Sequence, residues 1–304
     1  MAENHKIVLE KYLVKPGTKV KLKDFDTDYN DDVFYKGNIL EKEDGRKILE
    51  EGKEELSLMQ DKLYASNRYS ILIIFQAMDA AGKDGAVKHI MSGLNPTGVK
   101  VHSFKSPSST ELEHDYFWRH YIALPPRGEI GIFNRSHYEN VLVTRVHPEY
   151  ILKENLPDIN SMKDINEDFW QKRYKQINRF EKNISDNGTI ILKFFLHVSR
   201  KEQKKRFLER IDNPKKNWKF SVADSNERKF WKEYQNAYED AISNTSTDYA
   251  PWFIVPADDK WFTRLAIGYF IFQQFEKLNL EYPTVSDKTL KELQAVKEEL
   301  LSEK

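Results

Sequence analysis

The chain has 304 residues, and its 48 Lys and Arg balance 48 Asp and Glu, so its formal net charge at pH 7 is zero. It contains no cysteine, which excludes disulfides, thiolate nucleophiles, iron–sulfur clusters and zinc–thiolate sites. Hydrophobic residues make up 39% of the chain and include 18 Phe and 15 Tyr, so the composition predicts a folded globular protein and not a disordered one.

The N-terminal residues, 1 to about 40, are polar, and we interpret them as an arm that covers the body. Residues 1–15 have mixed charges and no apolar stretch of signal-peptide length. The longest apolar runs, 71–75 and 189–198, are too short to cross a bilayer. We therefore expect a cytoplasmic protein with no membrane partner.

Beyond the arm, strand-like and helix-like segments alternate. Short β-branched and aromatic runs predict five strands, and apolar residues at three- and four-residue spacing predict the helices between them. The predicted strands are 69–75, 99–104, 129–133, 189–198 and 252–255, and the predicted helices are 40–65, 86–94, 108–122, 136–146, 166–186, 199–211, 227–243, 260–278 and 287–304. This order predicts an α/β fold with a five-stranded parallel sheet flanked by helices. Because no Gly/Ser linker divides the chain, we expect one domain over residues 1–304.

The turn after the first predicted strand carries the strongest chemical signal. The frame of a Walker A loop, G-x-x-x-x-G-K-[ST], reads Ala77-Met-Asp-Ala-Ala-Gly-Lys-Asp84 here, so only its Gly-Lys pair matches. A small-residue turn between a buried strand and a helix points N–H groups at an anion, and Lys83 reaches between phosphoryl groups. Asp84 replaces the hydroxyl that normally holds Mg²⁺, and Asp79 suits a metal ion or a phosphate acceptor that needs a base. The alternative is an ordinary helix entry with a surface lysine.

Polar residues also follow the third predicted strand. In a parallel sheet the carboxyl ends of the strands share one crevice, so Asn134, Arg135 and Glu139 are candidates for metal and phosphate contacts. The alternative is a helix cap followed by a surface charge. The histidines show no metal-binding spacing, and we expect His114 and His120 on helix surfaces.

Although the net charge of the whole chain is zero, one segment is strongly basic. Residues 199–220 contain nine Lys and Arg against three Asp and Glu, and Pro214 interrupts their helical pattern. In a phosphate-binding α/β protein this segment suggests a lid, at about residues 200–225, that closes over a polyanion and excludes water. The alternatives are a solvated helix face or an RNA contact.

Taken together, these motifs resemble the family-2 polyphosphate kinases over roughly residues 10–280. The resemblance is carried by residues 79–85, 134–139, 195–199, 206–210, 217–219, 250–252 and 257–260. It implies a P-loop kinase fold similar to thymidylate kinase with a helical lid, assembled as a homo-oligomer, either a tetramer or a dimer. It also implies Mg²⁺-dependent, reversible transfer of a terminal phosphoryl group from inorganic polyphosphate to an adenine or guanine nucleotide, with Mn²⁺ as a substitute metal and no nucleic-acid partner.

The same resemblance implies roles for individual residues. Asp79 and Glu139 would hold the metal ion, and Asp79, Lys83, Arg135 and Arg206 would be the catalytic residues. The remaining residues would bind phosphate or nucleotide: Ala80, Ala81, Gly82, Asp84, Gly85, Lys88, Asn134, Glu139, Arg210, Lys215, Lys216 and Lys219.

One departure from the family pattern bears on the acceptor. Many relatives have Asp-Arg-Ser-Trp-Tyr-Asn where this chain has Asn134-Arg-Ser-His-Tyr-Glu139. The subgroup with Glu at the last position resembles the one that accepts both AMP and ADP, so we expect conversion of AMP to ADP and of ADP to ATP. Our hypothesis is that the extra carboxylate helps bind a second Mg²⁺, so that the acceptor phosphate can sit at more than one depth.

Two rival functions are open at this stage. A nucleoside monophosphate kinase with ATP as donor would share the fold and the metal, but the altered Walker A frame and the long basic lid speak against it. A non-catalytic polyanion- or RNA-binding protein would explain the basic segment but would have no use for Asp79, Lys83 and Glu139.

Overall fold

The structure is a computed structural model that describes residues 9–35 and 38–303, without the side chain of Lys219. The strands are β1 Leu13–Val14, β2 Phe34–Tyr35, β3 Asn38–Ile39, β4 Ser70–Ala77, β5 Val99–Ser103, β6 Ile130–Asn134, β7 Thr189–His197 and β8 Trp252–Pro256. The α-helices are α1 Lys42–Ser66, α2 Lys83–Met91, α3 Ser109–Leu112, α4 Trp118–Tyr121, α5 Glu139–Val146, α6 Glu167–Asp186, α7 Arg200–Asp212, α8 Val222–Glu227, α9 Trp231–Thr245, α10 Lys260–Lys277 and α11 Asp287–Ser302. None of the helices in these residues has the length and apolar character needed to span a membrane.

Six strands form the central sheet in the order β1-β8-β7-β4-β6-β5. The five predicted strands are all present and all parallel, and β4 and β7 pair at its centre from Ser70↔Thr189 to Ala77↔Leu196. The sheet has one strand more than predicted, because β1 of the N-terminal arm adds to the edge antiparallel to β8. Two residues are too short to show a hydrophobic period, so β1 leaves no signal in the sequence.

The sheet is buried between two groups of helices. All eight residues of β4 are buried, as expected for a parallel strand covered on both faces. The right-handed crossovers of a parallel sheet place α2 on one face and α5, α6 and α9 on the other. On the first face α10 packs against both α1 and α2, and on the second α9 packs against α5 and α6.

The predicted helix 108–122 is wrong, because this segment forms two short helices, α3 and α4. The Asp115 carboxylate accepts a hydrogen bond from the Phe117 N–H at 2.8 Å, and this local turn competes with continued helix. The break turns α4 toward the sheet, so His120 is fully buried and not on a helix surface as we expected. His114 is exposed, as predicted.

The strand order brings four chain segments to one edge of the sheet. Pairing aligns the end of β4 with the ends of β6 and β7, through Phe75↔Asn134 and Ala77↔Leu196. Pairing of His197 with Pro256 adds the end of β8. The loop before α2, the turn before α5, the start of α7 and the turn before α10 therefore meet at the carboxyl ends of the parallel strands, where ligands bind in open α/β sheets.

Candidate active site

The phosphate loop, which we define as residues 78–82, joins β4 to α2. Ala80 and Gly82 have φ angles of 59° and 112°, in the left-handed region where Gly is unstrained and Ala is not. The Lys83 ammonium donates to the Ala77 carbonyl at 2.9 Å, so the side chain folds back over the end of β4. Among the described residues no side chain caps the start of α2, and the N–H groups there are free to bind an anion.

The turn after β6 faces the phosphate loop. Arg135 has a φ of 66°, and its guanidinium lies 3.1 Å from Oδ1 of Asp79 and 3.9 Å from Oε2 of Glu139. The side-chain amide of Asn134 donates to Oδ1 of Asp84 at 2.9 Å. The structure thus brings together the polar groups that the sequence analysis singled out after two different strands.

Burial and neighbouring charges shift the ionisation of this cluster. Burial, together with the adjacent Arg135 guanidinium, lowers the pKa of Lys83. Burial raises the pKa of Glu139 despite the opposing influence of Arg135 and Lys83. Glu139 and, more weakly, Asp79 raise the pKa of Arg135 against the effect of its burial. A poorly hydrated cluster of this kind interacts strongly with any anion or cation that enters it.

A cavity of about 580 Å³ opens in front of the phosphate loop, and we call it the donor cavity. The predicted residues that line it are Asp79, Ala80, Gly82, Lys83, Asp84, Gly85, Asn134, Arg135, Arg206, Arg210 and Lys216. Sequence reasoning missed the other lining residues: Ser103, Phe104, Lys105, Glu209, Asp224 and Lys260. Lys260 ends a motif that carried the family resemblance, so a signal for it existed. Asp224 and Lys105 stand in segments with no recognisable pattern.

A second cavity of about 340 Å³, which we call the acceptor cavity, adjoins the first. Arg135 lines both cavities, and Glu139 lines the second. Its other polar and aromatic walls are Lys105, Glu111, His114, Asp115, Tyr116, Arg119, Asn140, Thr144, Tyr150, Lys153 and Glu154. None of these residues except Lys105 touches the donor cavity, so the arrangement provides two compartments that meet at Arg135.

A fully buried ion pair supports the turn that presents Arg135 and Glu139. Lys193 on β7 lies 2.6 Å from Oε2 of Glu181 on α6, and its ammonium also donates to the Tyr138 hydroxyl at 2.9 Å. The Tyr138 hydroxyl in turn donates to Glu181 at 2.8 Å, and Nε2 of His137 lies 3.3 Å from the same carboxylate. Burial alone would raise the pKa of Glu181, but Lys193 and His137 bring it below its usual range. This buried network of charged and polar groups therefore supports the turn from inside the protein.

Arg206 is among the residues that line the donor cavity, and its guanidinium donates to main-chain carbonyl groups. Its side chain is 5% exposed and lies behind the phosphate loop, where it contacts main-chain carbonyl oxygens and Glu202. Arg210, one turn further along α7, is half-buried and lines the donor cavity.

Several predicted polyanion ligands lie outside the two cavities. Lys88 and Lys215 are exposed and line neither cavity, whereas Lys216 lines the donor cavity. Ala81, within the phosphate loop, is buried and lines neither cavity. The side chain of Lys219 lies outside the described residues.

Comparison with known proteins identifies the family. The family model for polyphosphate kinase 2 (PPK2) matches residues 39–283. An ADP-polyphosphate phosphotransferase from Rhodopseudomonas palustris is 48% identical over 296 residues, which covers 97% of this chain and 99% of the relative. An AMP/ADP-polyphosphate phosphotransferase from Meiothermus ruber is 42% identical over 283 residues, which covers 92% of this chain and 98% of the relative.

A solved structure supports the same assignment. The crystal structure of polyphosphate kinase 2 from Arthrobacter aurescens matches with a TM-score of 0.84 at 34% sequence identity, and the match covers 97% of this chain and 99% of that chain. The α/β fold, with its mostly parallel central sheet flanked by helices, is thus shared with a protein of known structure. This chain belongs to the polyphosphate kinase 2 family.

Proposed function

We propose that this polyphosphate kinase transfers the terminal phosphoryl group of inorganic polyphosphate to AMP and to ADP, reversibly and in the cytoplasm. The observation that carries the proposal is the pair of cavities that meet at Arg135, since phosphoryl transfer needs a donor and an acceptor held in line. The names of the two relatives support these substrates. An ATP-dependent nucleoside monophosphate kinase is not favoured, because the family model is that of polyphosphate kinase 2.

In this proposal polyphosphate occupies the donor cavity. Its terminal group lies against the phosphate loop, and Lys83 and Arg135 neutralise the charge that spreads over the oxygens during transfer. Arg210, Lys216 and Lys260 bind the phosphoryl groups that follow, since all three line the same cavity.

The acceptor nucleotide occupies the acceptor cavity with its phosphate toward Arg135. Tyr116 and Tyr150 provide aromatic surface for a nucleobase, and Lys105, Arg119 and Lys153 provide positive charge for an anionic ligand. Adenine nucleotides are the proposed acceptors, and guanine nucleotides are the alternative.

We propose Mg²⁺ as the metal, with Mn²⁺ as a substitute, held by Asp79 and Glu139. Carboxylate oxygens suit a hard divalent cation. Within the described part of the chain no three acidic or histidine side chains converge into a complete metal site. The two carboxylates of Asp79 and Glu139 nevertheless fit Mg²⁺, because proteins commonly hold this ion through one or two carboxylates together with substrate phosphates. When bound, the ion would neutralise charge on the phosphoryl oxygens.

The test is a coupled assay of purified protein with Mg²⁺, long-chain polyphosphate and either AMP or ADP. Replacing Lys83 with Ala removes a charge at the loop, so we expect kcat to fall by about 100-fold or more with both acceptors. Lys47→Ala, on an exposed position of α1, is the matched control and should keep wild-type rates. Turnover of the wild type with ATP and AMP but not with polyphosphate would refute the proposal.

A further inference from the structure

Two side chains of α7 hold the phosphate loop from behind, and we call Gln203 and Arg206 the α7 clamp. The Gln203 side-chain amide donates to the Asp79 carbonyl at 2.9 Å. Arg206 donates through Nη1 to the carbonyls of Ala80 and Ala81, at 3.1 and 2.7 Å. Three consecutive carbonyls of the loop are therefore bound by two buried side chains, which are 1% and 5% exposed.

The other donors of Arg206 are also used within the protein. Nε donates to Oε1 of Glu202 at 2.9 Å, and Nη2 donates to the carbonyls of Ala257 and Asp258 at 2.7 and 3.0 Å. An arginine has five N–H donors, and all five are engaged here. Arg206 thus ties the phosphate loop to the turn after β8 and keeps no donor for a substrate phosphate.

The turn after β8 is itself held from the opposite side by the N-terminal arm. The Thr27 carbonyl accepts hydrogen bonds from the N–H groups of Ala257 and Asp258, at 2.9 and 2.8 Å. The Asp258 carboxylate accepts from the Ser199 N–H at 2.8 Å, which joins the same turn to the start of α7. Arg206 is therefore anchored to a fixed part of the protein.

Binding the carbonyls from behind sets the direction of the loop N–H groups. In a planar trans peptide the N–H points opposite to the C=O, so the N–H groups of Ala80, Ala81 and Gly82 point away from α7. That of Ala81 donates to the Met78 carbonyl at 3.3 Å, whereas those of Ala80 and Gly82 donate to no acceptor within the described residues. Ala80 and Gly82 line the donor cavity, where free N–H groups bind phosphate oxygens.

We propose that Gln203 and Arg206 are positioning residues that hold the phosphate loop in its anion-binding conformation, and that Arg206 does not contact the transferred phosphoryl group. The clamp also offsets the strain of the left-handed Ala80, which needs support from surrounding contacts. This inference rests on the proposed function, because the loop concerned is the one proposed to bind polyphosphate.

The test compares Arg206 with Arg210, one helical turn apart, through R206K, R206M, R210K and R210M. At position 206 we expect both variants to lose about 100-fold in kcat with polyphosphate and ADP, since small misplacements at a reacting centre cost about this much. The kcat of R206K should be no higher than that of R206M, because an ammonium group cannot donate to four carbonyls as the planar guanidinium of arginine does. At position 210, where the side chain is proposed to bind phosphate, Lys should retain clearly more kcat/KM than Met, because a phosphate contact depends on charge.

Affinity for inorganic tripolyphosphate, measured by calorimetry, gives a readout that needs no turnover. Both Arg206 variants should bind about tenfold more weakly than the wild type, and to a similar extent, whereas R210K should bind more tightly than R210M. An R206K enzyme with clearly more activity than R206M, or with near-normal affinity, would overturn the proposal, because charge and not geometry would then matter.

Thermal unfolding checks that the variants are folded. If the Arg206 variants do not fold, Gln203→Met decides the question, since it removes only the bonds of one side-chain amide. Weaker tripolyphosphate binding by this variant supports the clamp, and unchanged binding refutes it. A wild-type enzyme that binds tripolyphosphate but does not turn over polyphosphate would refute the proposed function. The role of the clamp could then still be judged by comparing the tripolyphosphate affinities of the wild type and the variants.

Discussion

Glu139 lines the acceptor cavity next to Arg135, and its burial disfavours its charged form. Burial raises the pKa of its carboxyl group, and its nearest cation, Arg135, is 3.9 Å away. Burial makes the charged form of this carboxylate costly, so a metal ion bound there would gain a ligand and offset part of that cost. This supports the proposed part of Glu139 in metal binding and acceptor choice.

Replacing Glu139 with Gln keeps the shape of the side chain and removes its charge. The hypothesis is that the carboxylate lets the acceptor phosphate sit at more than one depth. If so, the variant loses one charge-assisted interaction, and kcat/KM should fall about tenfold more with AMP than with ADP. Parallel steady-state assays with both acceptors measure the ratio, and Glu54→Gln on the exposed surface of α1 is the control. Equal losses with AMP and ADP would contradict the hypothesis.

At the scale of single elements, two features terminate the lid helix α7. Asn213 and Pro214 follow its last residue, and a proline cannot continue a helix. The Asn217 side-chain amide then donates to the carbonyls of Arg210 and Ile211, at 2.9 and 2.6 Å, and so satisfies two carbonyls that the helix end leaves free. Beyond this end of α7, Lys215 and Lys216 of the basic segment are exposed.

The last helix, α11, presents an apolar stripe to solvent. Its apolar side chains are between 49% and 76% exposed: Leu290, Leu293, Val296, Leu300 and Leu301. The first four of these positions recur at three- and four-residue spacing, as in a helix that packs on another surface, and Leu301 adjoins the last of them. The acidic residues Glu292, Glu299 and Glu303 flank the stripe on one side. We propose that this stripe takes part in forming the expected homo-oligomer.

The prediction for α11 concerns self-association. Replacing Leu293 and Leu300 together with Glu places two charges in the stripe, which a buried interface does not tolerate without partners. Light scattering after size-exclusion chromatography should show a smaller particle than the wild type at equal concentration. Lys291→Glu makes the same change in net charge on the opposite face and should leave the particle unchanged. An unaltered size of the double variant would exclude the stripe from the interface.

At the scale of the whole molecule, the N-terminal arm joins regions that are distant in sequence. Leu22 donates its N–H to Glu239 on α9 at 2.8 Å, Thr27 binds the turn after β8, and Tyr29 stacks on Phe262 of α10 at 4.7 Å. The arm and the sheet share one hydrophobic core. These contacts tie the described part of the arm to the body of the protein.

The stability of this core depends on pH through His120. Burial, with smaller effects from His137 and Arg119, lowers the pKa of His120 to about 2. An unfolded histidine has a pKa near 6.5, so between about pH 6.5 and 2 the unfolded chain binds one more proton at this residue than the folded protein does. The contribution of His120 to stability is therefore present above pH 6.5 and is lost as the pH falls.

His120→Gln removes the titrating group and keeps a side chain able to donate to the Tyr116 carbonyl, which lies 3.0 Å from Nδ1. Between pH 6 and 4.5 the free energy of unfolding of the wild type should fall more steeply than that of the variant, by about 1.4 kcal/mol per pH unit. Urea denaturation across this range measures both slopes. Parallel curves would show that the folded protein protonates His120 as readily as the unfolded chain.

Local patterns were enough to predict much of this protein. The five parallel strands are continuous apolar runs, because both faces of such a strand are covered. The phosphate loop is a contiguous strand-turn-helix segment, so it could be proposed from its setting after a buried strand, although only its Gly-Lys pair matches the Walker A frame. The turn at residues 134–139 could be assigned to the same crevice because parallel strands end at one edge of a sheet.

Other features depend on contacts between distant residues, and only the tertiary structure decides them. Arg206 lies 126 positions from Ala80, and its position in the sequence does not tell whether its guanidinium faces a cavity or the back of a loop. His120 is buried because the turn at Asp115 redirects α4. The strand β1 forms because it pairs with the edge strand β8. Asp224 and Lys260 reach the donor cavity only through the path of the lid and of α10. The sequence by itself determined the family and the five parallel strands, since these follow from short-range patterns, whereas the sixth strand and the partners of each charged side chain follow from how the elements pack.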